Sequence, residues 1–294
     1  MKRLTILVLF IALIAQSAEA QNFYRRKIDR RLIASGSLGL SSYFGELTNP
    51  GDYFDTKLNF GAALEYELVD RLSIRANAQW FRIGGSDAEA DPNRENRGTR
   101  NLSFRSDNFE ITGIAQVYLF PNDDKFTQRR PINPYLFAGI GVVYYNPKAE
   151  LDGTWHALRP LQTEGVEYAP FTTAIPLGIG VRFKLTNEFD AAVEVGYRYV
   201  TTDYLDDVSD SYIAQEDYIS DLARQLGDRR VEIGLPPARE GGIRGNPDAV
   251  DGYMIINARL GYYLPAGLFS KGNKSSVRMY GKRSKNMYKQ KRRR

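Results

Sequence analysis

The alternation of apolar and polar residues with a period of two constrains this chain more than any other feature. In Phe189–Tyr199, one face is apolar or aromatic and the other carries Asp190, Glu194 and Arg198. The same pattern recurs, with varying strength, in eight segments of about 10–13 residues, a length that crosses a bilayer when a strand is tilted. The segments are Leu32–Phe44, Leu58–Leu68, Leu72–Ile83, Phe109–Phe120, Tyr135–Tyr145, Thr173–Leu185, Phe189–Tyr199 and Tyr253–Leu264. The sequence therefore predicts an all-β fold with eight antiparallel strands.

The links between these segments alternate in length. The long links are residues 45–57, 84–107, 146–172 and 201–251, and the shorter ones are 69–71, 121–133 and 186–188. Long extracellular loops alternating with short periplasmic turns are typical of outer-membrane barrels. We therefore predict an eight-stranded antiparallel transmembrane β-barrel of the OmpA/OmpX-like type, with both chain ends in the periplasm.

A soluble β-sandwich or lipocalin-like barrel would also alternate with a period of two. It would turn its apolar face inward and cover its other face with Lys and Glu. Here the face opposite the apolar one is poor in Lys and rich in Gly, Tyr and Asn, and aromatic residues stand near the strand ends. The mean hydropathy of -0.42 argues against a helical membrane protein. These features favour the membrane barrel.

The composition excludes several kinds of chemistry. The chain has no Cys and one His, so it has no disulfide framework, zinc ribbon, Cys nucleophile or lipoprotein anchor. His156 is the sole conventional general base, and no motif supplies the Ser or acid partner of a hydrolase or acyltransferase. We expect no enzymatic activity, no cofactor and no small-molecule substrate.

The two ends of the chain differ from the barrel segments. Lys2 and Arg3 precede an apolar stretch, Leu4–Ala15, and Ala18-Glu19-Ala20 forms a small-x-small cleavage site, so residues 1–20 read as a signal peptide for Sec export. Residues 21–31 form a basic periplasmic stretch, 32–265 the outer-membrane barrel, and 266–294 a basic tail.

Charge is distributed unevenly along the chain. The link 201–251 holds twelve Asp or Glu and five Lys or Arg, whereas the tail holds eleven Lys or Arg and no acid. We expect the tail to be disordered by itself and to bind anionic lipid or an acidic periplasmic protein, although a solvated tail with no partner is also consistent. The signal peptide argues against nucleic acid. The predicted docking residues are Arg25, Arg26, Lys27, Arg30, Arg31, Lys271, Lys274, Arg278, Lys282, Arg283, Lys285, Lys289, Lys291, Arg292, Arg293 and Arg294.

The inward faces of the strands carry five acids and five bases. We expect them to pair as a buried network that plugs a narrow barrel, because an unpaired buried charge costs several kcal/mol. A narrow ion pathway is the alternative. The residues are Glu65, Glu67, Glu110, Asp190 and Glu194 against Arg75, Arg182, Lys184, Arg198 and Arg259.

The link 201–251 contains an acidic run with two interpretations. Asp203, Asp206, Asp207 and Asp210 could hold calcium through hard oxygen ligands, although no EF-hand pattern is complete. Alternatively, the run is an exposed loop that leads into a helix, with Ser209 or Asp210 as the N-cap and Gly227 as the stop.

Three segments carry a resemblance to a known family. They are Gly36–Leu47, then Asn133–Gly141 running on to Lys148, and Val195–Tyr199 followed by Thr202–Val208. They resemble the first strand, middle hairpin and next-to-last strand of the PorG-like outer-membrane proteins of Bacteroidetes type IX secretion systems. The resemblance implies a non-enzymatic barrel, embedded in outer-membrane lipid, that anchors a periplasmic ring of secretion and gliding proteins. The alternative function is a small channel or a surface receptor that acts through the acidic loops.

Overall fold

The computed structural model describes residues 30–48, 55–89, 96–122, 129–246 and 251–265. Within these ranges, ten strands form one sheet and one short α-helix, α1, lies in the last long link. No helix in these ranges is long and apolar enough to cross a membrane. The strands are β1 (Leu32–Phe44), β2 (Thr56–Val69), β3 (Leu72–Ser86), β4 (Ser103–Tyr118), β5 (Ile132–Tyr144), β6 (Pro147–Leu151), β7 (Thr154–Ala157), β8 (Phe171–Lys184), β9 (Phe189–Val200) and β10 (Gly252–Tyr263), and α1 is Asp221–Gly227.

Eight of the strands close into an antiparallel barrel. Their order around the barrel is β1, β2, β3, β4, β5, β8, β9 and β10, and β10 pairs with β1 to complete the ring. The register of that closure runs from Ile33 opposite Tyr263 to Phe44 opposite Gly252. Closure leaves none of these eight strands with an unpaired edge, as a bilayer requires. The predicted eight-stranded barrel is confirmed.

The strand faces are arranged as a membrane barrel requires. Large apolar side chains point outward and remain exposed, including Leu38 at 62%, Ile111 at 70% and Ile179 at 61%. The inward face buries polar and charged side chains such as Glu194 and Arg75. A soluble barrel would reverse these faces, so the alternative of a lipocalin-like protein is wrong.

Strands β3 and β4 extend together beyond the segments that the alternation indicated. β3 continues past Ile83 to Ser86, and β4 begins at Ser103 rather than Phe109, with Ser86 opposite Ser103. The extension contributes to an apolar cluster at the end of the barrel that carries the long links. Its members include Tyr43, Leu47, Phe81, Ile83, Phe104, Val143, Leu205, Val208, Tyr253 and Ile255. Their mutual burial stabilises the added strand pairs where the loops fold over the barrel.

The third long link contains a hairpin that the alternation did not indicate. β6 and β7 pair with each other, and β6 also pairs with Arg105 and Ser106 near the start of β4. Their two-residue turn is Asp152-Gly153, with φ of 52° and 77°. Asp-Gly with both φ values positive is the preferred sequence of a type I′ hairpin turn. The Asp152-Gly153 dipeptide is therefore the sequence signal for this hairpin.

The helix in the fourth long link begins later than predicted. Ser220, not Ser209 or Asp210, is the N-cap, because its Oγ accepts the N–H of Ala223 at 3.1 Å. The N–H groups of Ser209 and Asp210 are instead bound by the Glu164 carboxylate, each at 3.1 Å. Gly227 ends the helix as predicted.

Candidate functional site

The centre of the barrel is crossed by ion pairs. Arg75 on β3 forms a bidentate pair with Glu194 on β9, with Nη1–Oε1 at 2.7 Å and Nη2–Oε2 at 3.2 Å. Strands β3 and β9 lie on opposite sides of the ring, so this pair spans the lumen. Arg259 on β10 and the Tyr135 hydroxyl also bind Glu194. One carboxylate therefore ties together four strands.

A second set of pairs lies towards the end that carries the short links. Arg182 on β8 binds Glu65, and its Nη1 lies 3.3 Å from Glu67 Oε1, on the opposite strand β2. The cavity beside Glu65, Arg182 and Arg259 has a volume of about 20 Å³, room for one water molecule. Towards the other end, Arg198 Nε lies 3.7 Å from Glu110 Oε2. The predicted network of buried pairs is confirmed.

One member of the network was missed. Arg129, in the link 119–131, places its guanidinium over the Tyr263 ring and binds Asp190, with Nη2–Oδ1 at 2.8 Å. It lies in a link, so the strand alternation carried no signal for it. Lys184, predicted to point inward, is half-buried at the end of β8.

The end of the barrel with the links 70–71 and 185–188, here called the turn end, also holds both ends of the described chain. Arg71 and Arg130 are exposed there, and Arg30 and Arg31 are half-buried. Arg30 and Arg31 donate to the carbonyls of Tyr263 and Leu68, at 3.5 and 3.3 Å. These contacts hold Arg30 and Arg31 against the ends of β10 and β2, and the exposed Arg71 and Arg130 add positive charge to the turn end.

The opposite end, here called the loop end, is organised by a buried arginine. Arg244 is 1% exposed, and its Nη1 lies 2.7 Å from Glu164 Oε1. Its Nη2 lies 3.6 Å from Asp207 Oδ2, and Tyr168 donates its hydroxyl to Asp207 Oδ1 at 2.6 Å. Although burial by itself lowers the pKa of Arg244, the Glu164 and Asp207 carboxylates raise it above its ordinary value. The third and fourth long links are thereby held together.

Three other carboxylates at the loop end meet in one place. This carboxylate triad consists of Glu46 after β1, Asp206 in the fourth long link and Asp251 just before β10. One oxygen from each lies within 4.8 Å of the others. The pairing of Phe44 with Gly252 brings Glu46 and Asp251 together, and the turn that begins at Thr202 supplies Asp206.

The charges of the triad oppose one another. Burial raises the pKa of Asp206 well above its ordinary value, and the neighbouring Asp251 and Glu46 raise it further. Burial and the Asp203 carboxylate raise the pKa of Glu46 to about 7. For Asp251, burial and the charges of Glu46 and Asp203 likewise raise the pKa. The site therefore favours either protons or a cation.

The predicted calcium residues go to different places. Asp206 belongs to the triad, and the charge of Asp203 raises the pKa of Glu46 in that triad. Asp207 forms an ion pair with Arg244, and Asp210 is exposed. His156 lies on β7 opposite Ala149, half-buried. Of the docking residues, Arg30 and Arg31 lie at the turn end. The signal peptide, Arg25–Lys27 and the whole tail lie outside the described residues, so these remain predictions.

The sequence is similar to one family of known proteins. The family described as outer membrane protein beta-barrel domain matches residues 5–218. No curated protein matches the chain.

The chain is also similar to solved structures that are distant from it in sequence. The N-terminal β-barrel domain of Pseudomonas aeruginosa OprF is 10% identical and has a TM-score of 0.37, and the match covers 80% of this chain and 98% of that one. Neisserial surface protein A is 11% identical with a TM-score of 0.38, over 79% and 97% of the two chains. P. aeruginosa OprG is 11% identical with a TM-score of 0.37, over 82% and 98%.

Proposed function

The chain belongs to the outer membrane protein β-barrel family, and on that premise we propose that it is a non-enzymatic anchoring component of a type IX secretion and gliding apparatus. In this proposal, the barrel holds the protein in the outer membrane. The turn end faces the periplasm and docks periplasmic ring proteins, and the basic tail extends the same surface.

The ion pairs inside the barrel carry this proposal. Arg75 pairs with Glu194 across the lumen, and Arg259 on the neighbouring strand binds the same carboxylate. The adjoining cavity has room for about one water molecule. A lumen closed in this way supports a role at the barrel ends and argues against passive diffusion of solutes.

The turn end supplies the docking chemistry. Arg71 and Arg130 are exposed there, next to the point where the described chain ends at residue 265. The eleven Lys and Arg of residues 266–294 follow directly. Both groups of charge suit an acidic protein surface, since opposite potentials steer association and fix the register of the partners.

Co-purification tests the proposal. The full chain and a chain ending at Ser270 are extracted from native membranes in detergent and captured with an antibody against the barrel. We expect specific periplasmic proteins with the full chain and their loss from the truncated one, while the circular dichroism of both retains the β-sheet signal. Failure of the full chain to retain any periplasmic protein would overturn the proposal.

A second variant separates the tail from the turn end. Replacement of Arg71 and Arg130 by Gln removes two exposed charges and no described ion pair. If the turn end contributes to docking, the loss of these two charges weakens binding, and the variant retains less of the same partners. The difference should be measured at moderate salt, because high salt screens surface charges. Glu240→Gln, at an exposed site in the fourth long link, is the control.

The alternative function is a channel or a receptor at the loop end. One observation favours the receptor form: large apolar side chains stand exposed on the fourth long link, with Ile243 at 85% and Ile219 at 60%. The channel form is tested by conductance measurements in planar bilayers. We expect no steady conductance from the folded barrel, and a reproducible single-channel conductance would contradict the anchor proposal.

The absence of enzymatic activity is part of the proposal and has its own test. Lipase and acyltransferase assays on the purified barrel should show no turnover. An activity that disappears in His156→Ala would contradict the proposal, because His156 is the sole conventional general base in the sequence.

A further inference from the structure

We propose that the carboxylate triad of Glu46, Asp206 and Asp251 binds a divalent cation, calcium, at the loop end of the barrel. The triad brings together the first long link, the fourth long link and the start of β10. A calcium ion lies about 2.4 Å from its oxygen ligands, so it bridges oxygens up to about 4.8 Å apart. The three oxygens of the triad lie within 4.8 Å of one another.

The hydrogen bonds of the triad leave oxygens available to a ligand. Asp206 is 1% exposed, and its Oδ1 accepts the N–H of Val208 at 2.9 Å. Its Oδ2 is buried and accepts no hydrogen bond within the described ranges, because the nearby Tyr43 hydroxyl donates to Asp251 instead. Glu46 is similar, since Oε1 accepts the N–H of Asn246 at 3.3 Å and the buried Oε2 has no donor among the described residues. A buried carboxylate oxygen without a donor is costly unless something else binds it.

The third member is held rigidly. Asp251 Oδ1 accepts the hydroxyl of Tyr43 at 2.5 Å, and Oδ2 accepts the N–H of Leu205 at 2.9 Å. Each carboxylate oxygen has a second lone pair, so both bonds can persist while the group ligates a metal. These donors fix the carboxylate in place, as partners of metal ligands commonly do.

The neighbouring cations are committed to other acids. Arg100 donates to Asp87 through Nε and Nη2, at 2.9 and 2.7 Å, and it reaches only the main-chain carbonyl of Glu46, at 3.2 Å. Arg244 is bound by Glu164 and Asp207. In the part of the chain that the structure describes, no Lys or Arg forms an ion pair with the triad. Arg100 acts on Glu46 and Asp206 through its charge without pairing with either carboxylate, so it offsets only part of the negative charge and a cation from solution can neutralise the rest.

The donor set selects the kind of metal. All three ligands are carboxylates, which favour calcium or magnesium over zinc or copper. Calcium accepts irregular arrangements of many oxygens, whereas magnesium demands a nearly ideal octahedron and uses one or two carboxylates. Three carboxylates from separate segments suit calcium. Binding would join the first and fourth links and stiffen the loop end.

Terbium luminescence tests the site directly. Terbium(III) replaces calcium at oxygen sites and is excited through nearby tyrosines, and Tyr43 contacts Asp251. We expect the full-length protein in detergent to show saturable luminescence that CaCl2 displaces. Asp206→Asn keeps the size of the side chain and should weaken terbium and calcium binding by about tenfold or more, since affinity follows ligand charge.

A matched control separates the triad from the general acidity of the loop. Asp210→Asn removes one charge from an exposed position in the same link, and we expect it to bind like the wild type. Circular dichroism must show the same β-sheet signal in all three proteins. Equal calcium affinity in Asp206→Asn and wild type, or no calcium-displaceable luminescence in the wild type, would overturn the proposal.

Limited proteolysis gives a readout that does not depend on terbium. Calcium should slow cleavage within residues 201–251 in the wild type and in Asp210→Asn, but not in Asp206→Asn. Equal protection by MgCl2 or by NaCl of the same ionic strength would indicate charge screening and would count against a specific site.

Discussion

The barrel interior and the loop end bury carboxylates in opposite ways. In the interior, Glu194 is bound by two arginines and a tyrosine hydroxyl, and Arg182 contacts both Glu65 and Glu67. At the loop end, the triad of Glu46, Asp206 and Asp251 has no described ion-pair partner, and its neighbours raise the pKa of each member. The first arrangement supplies its own counter-charges, whereas the second is complete only with a proton or a cation.

This difference indicates which region of the protein responds to pH and to ions. The interior pairs are shielded and linked across opposite strands, so salt and ions have little access to them. The loop end joins separate segments through groups that change charge. Removal of a carboxylate charge should therefore destabilise the folded protein in the interior and stabilise it in the triad.

The largest effect is expected from the interior. Glu194→Ala leaves Arg75 buried without its ion-pair partner and Arg259 with only the longer contact to Glu65, at 3.8 Å. Removal of one partner of a buried pair costs about 3–5 kcal/mol. The denaturant midpoint for unfolding in detergent should fall sharply. Glu240→Ala, an exposed acid, is the control and should leave the midpoint unchanged.

A smaller and more local loss is expected from Arg244→Met. This change leaves Glu164 and Asp207 buried without their cation, at a cost of about 3 kcal/mol to the folded loop end. Proteolysis within residues 201–251 should accelerate while the barrel strands remain protected. Loss of the barrel itself would contradict the separation between the two regions.

In the triad, loss of one carboxylate charge should stabilise the folded protein. With divalent cations chelated at pH 8, Glu46→Gln removes a repelled charge, and solvent screening at this half-buried side chain limits the gain to about 1 kcal/mol. The folded-state pKa of Glu46, about 7, lies above its ordinary 4.5. The wild type should therefore lose stability as pH rises from about 4.5 to about 7, whereas the Gln variant should not show this contribution. Thermal unfolding at pH 5 and pH 8 measures both, and a destabilised variant at pH 8 would contradict the expected sign.

The smallest effect is expected at the helix of the fourth long link. Ser220→Ala removes the cap of Ala223 N–H and should cost about 1 kcal/mol locally. Hydrogen exchange in Asp221–Gly227 should accelerate. Asp210→Ala, at the position that the sequence pattern also favoured as the cap, should leave exchange in the helix unchanged.

Most of the barrel could be predicted from the sequence. The period-two alternation assigned Glu65, Glu194 and Arg259 to the inward face because the face of a strand residue depends on its parity alone. Arg129 was missed because it enters the barrel from a link, where parity has no meaning. The Asp152-Gly153 turn was readable, since its sequence matches its backbone conformation.

The candidate metal site could be predicted only in part. The run from Asp203 to Asp210 indicated oxygen ligands, but neighbours in sequence are not neighbours in space. The fold sends Asp206 to the triad, Asp207 to Arg244 and Asp210 to solvent. Glu46 and Asp251 gave no signal, since each is a single acid beside a strand.

The amino-acid order alone therefore specifies the strands, their two faces and the acidic and basic links, because these depend on local alternation and composition. The tertiary structure decides that Arg75 meets Glu194 across the lumen and that Glu46, Asp206 and Asp251 share one site. Both outcomes depend on barrel closure and on strand register, which bring together residues far apart in the chain.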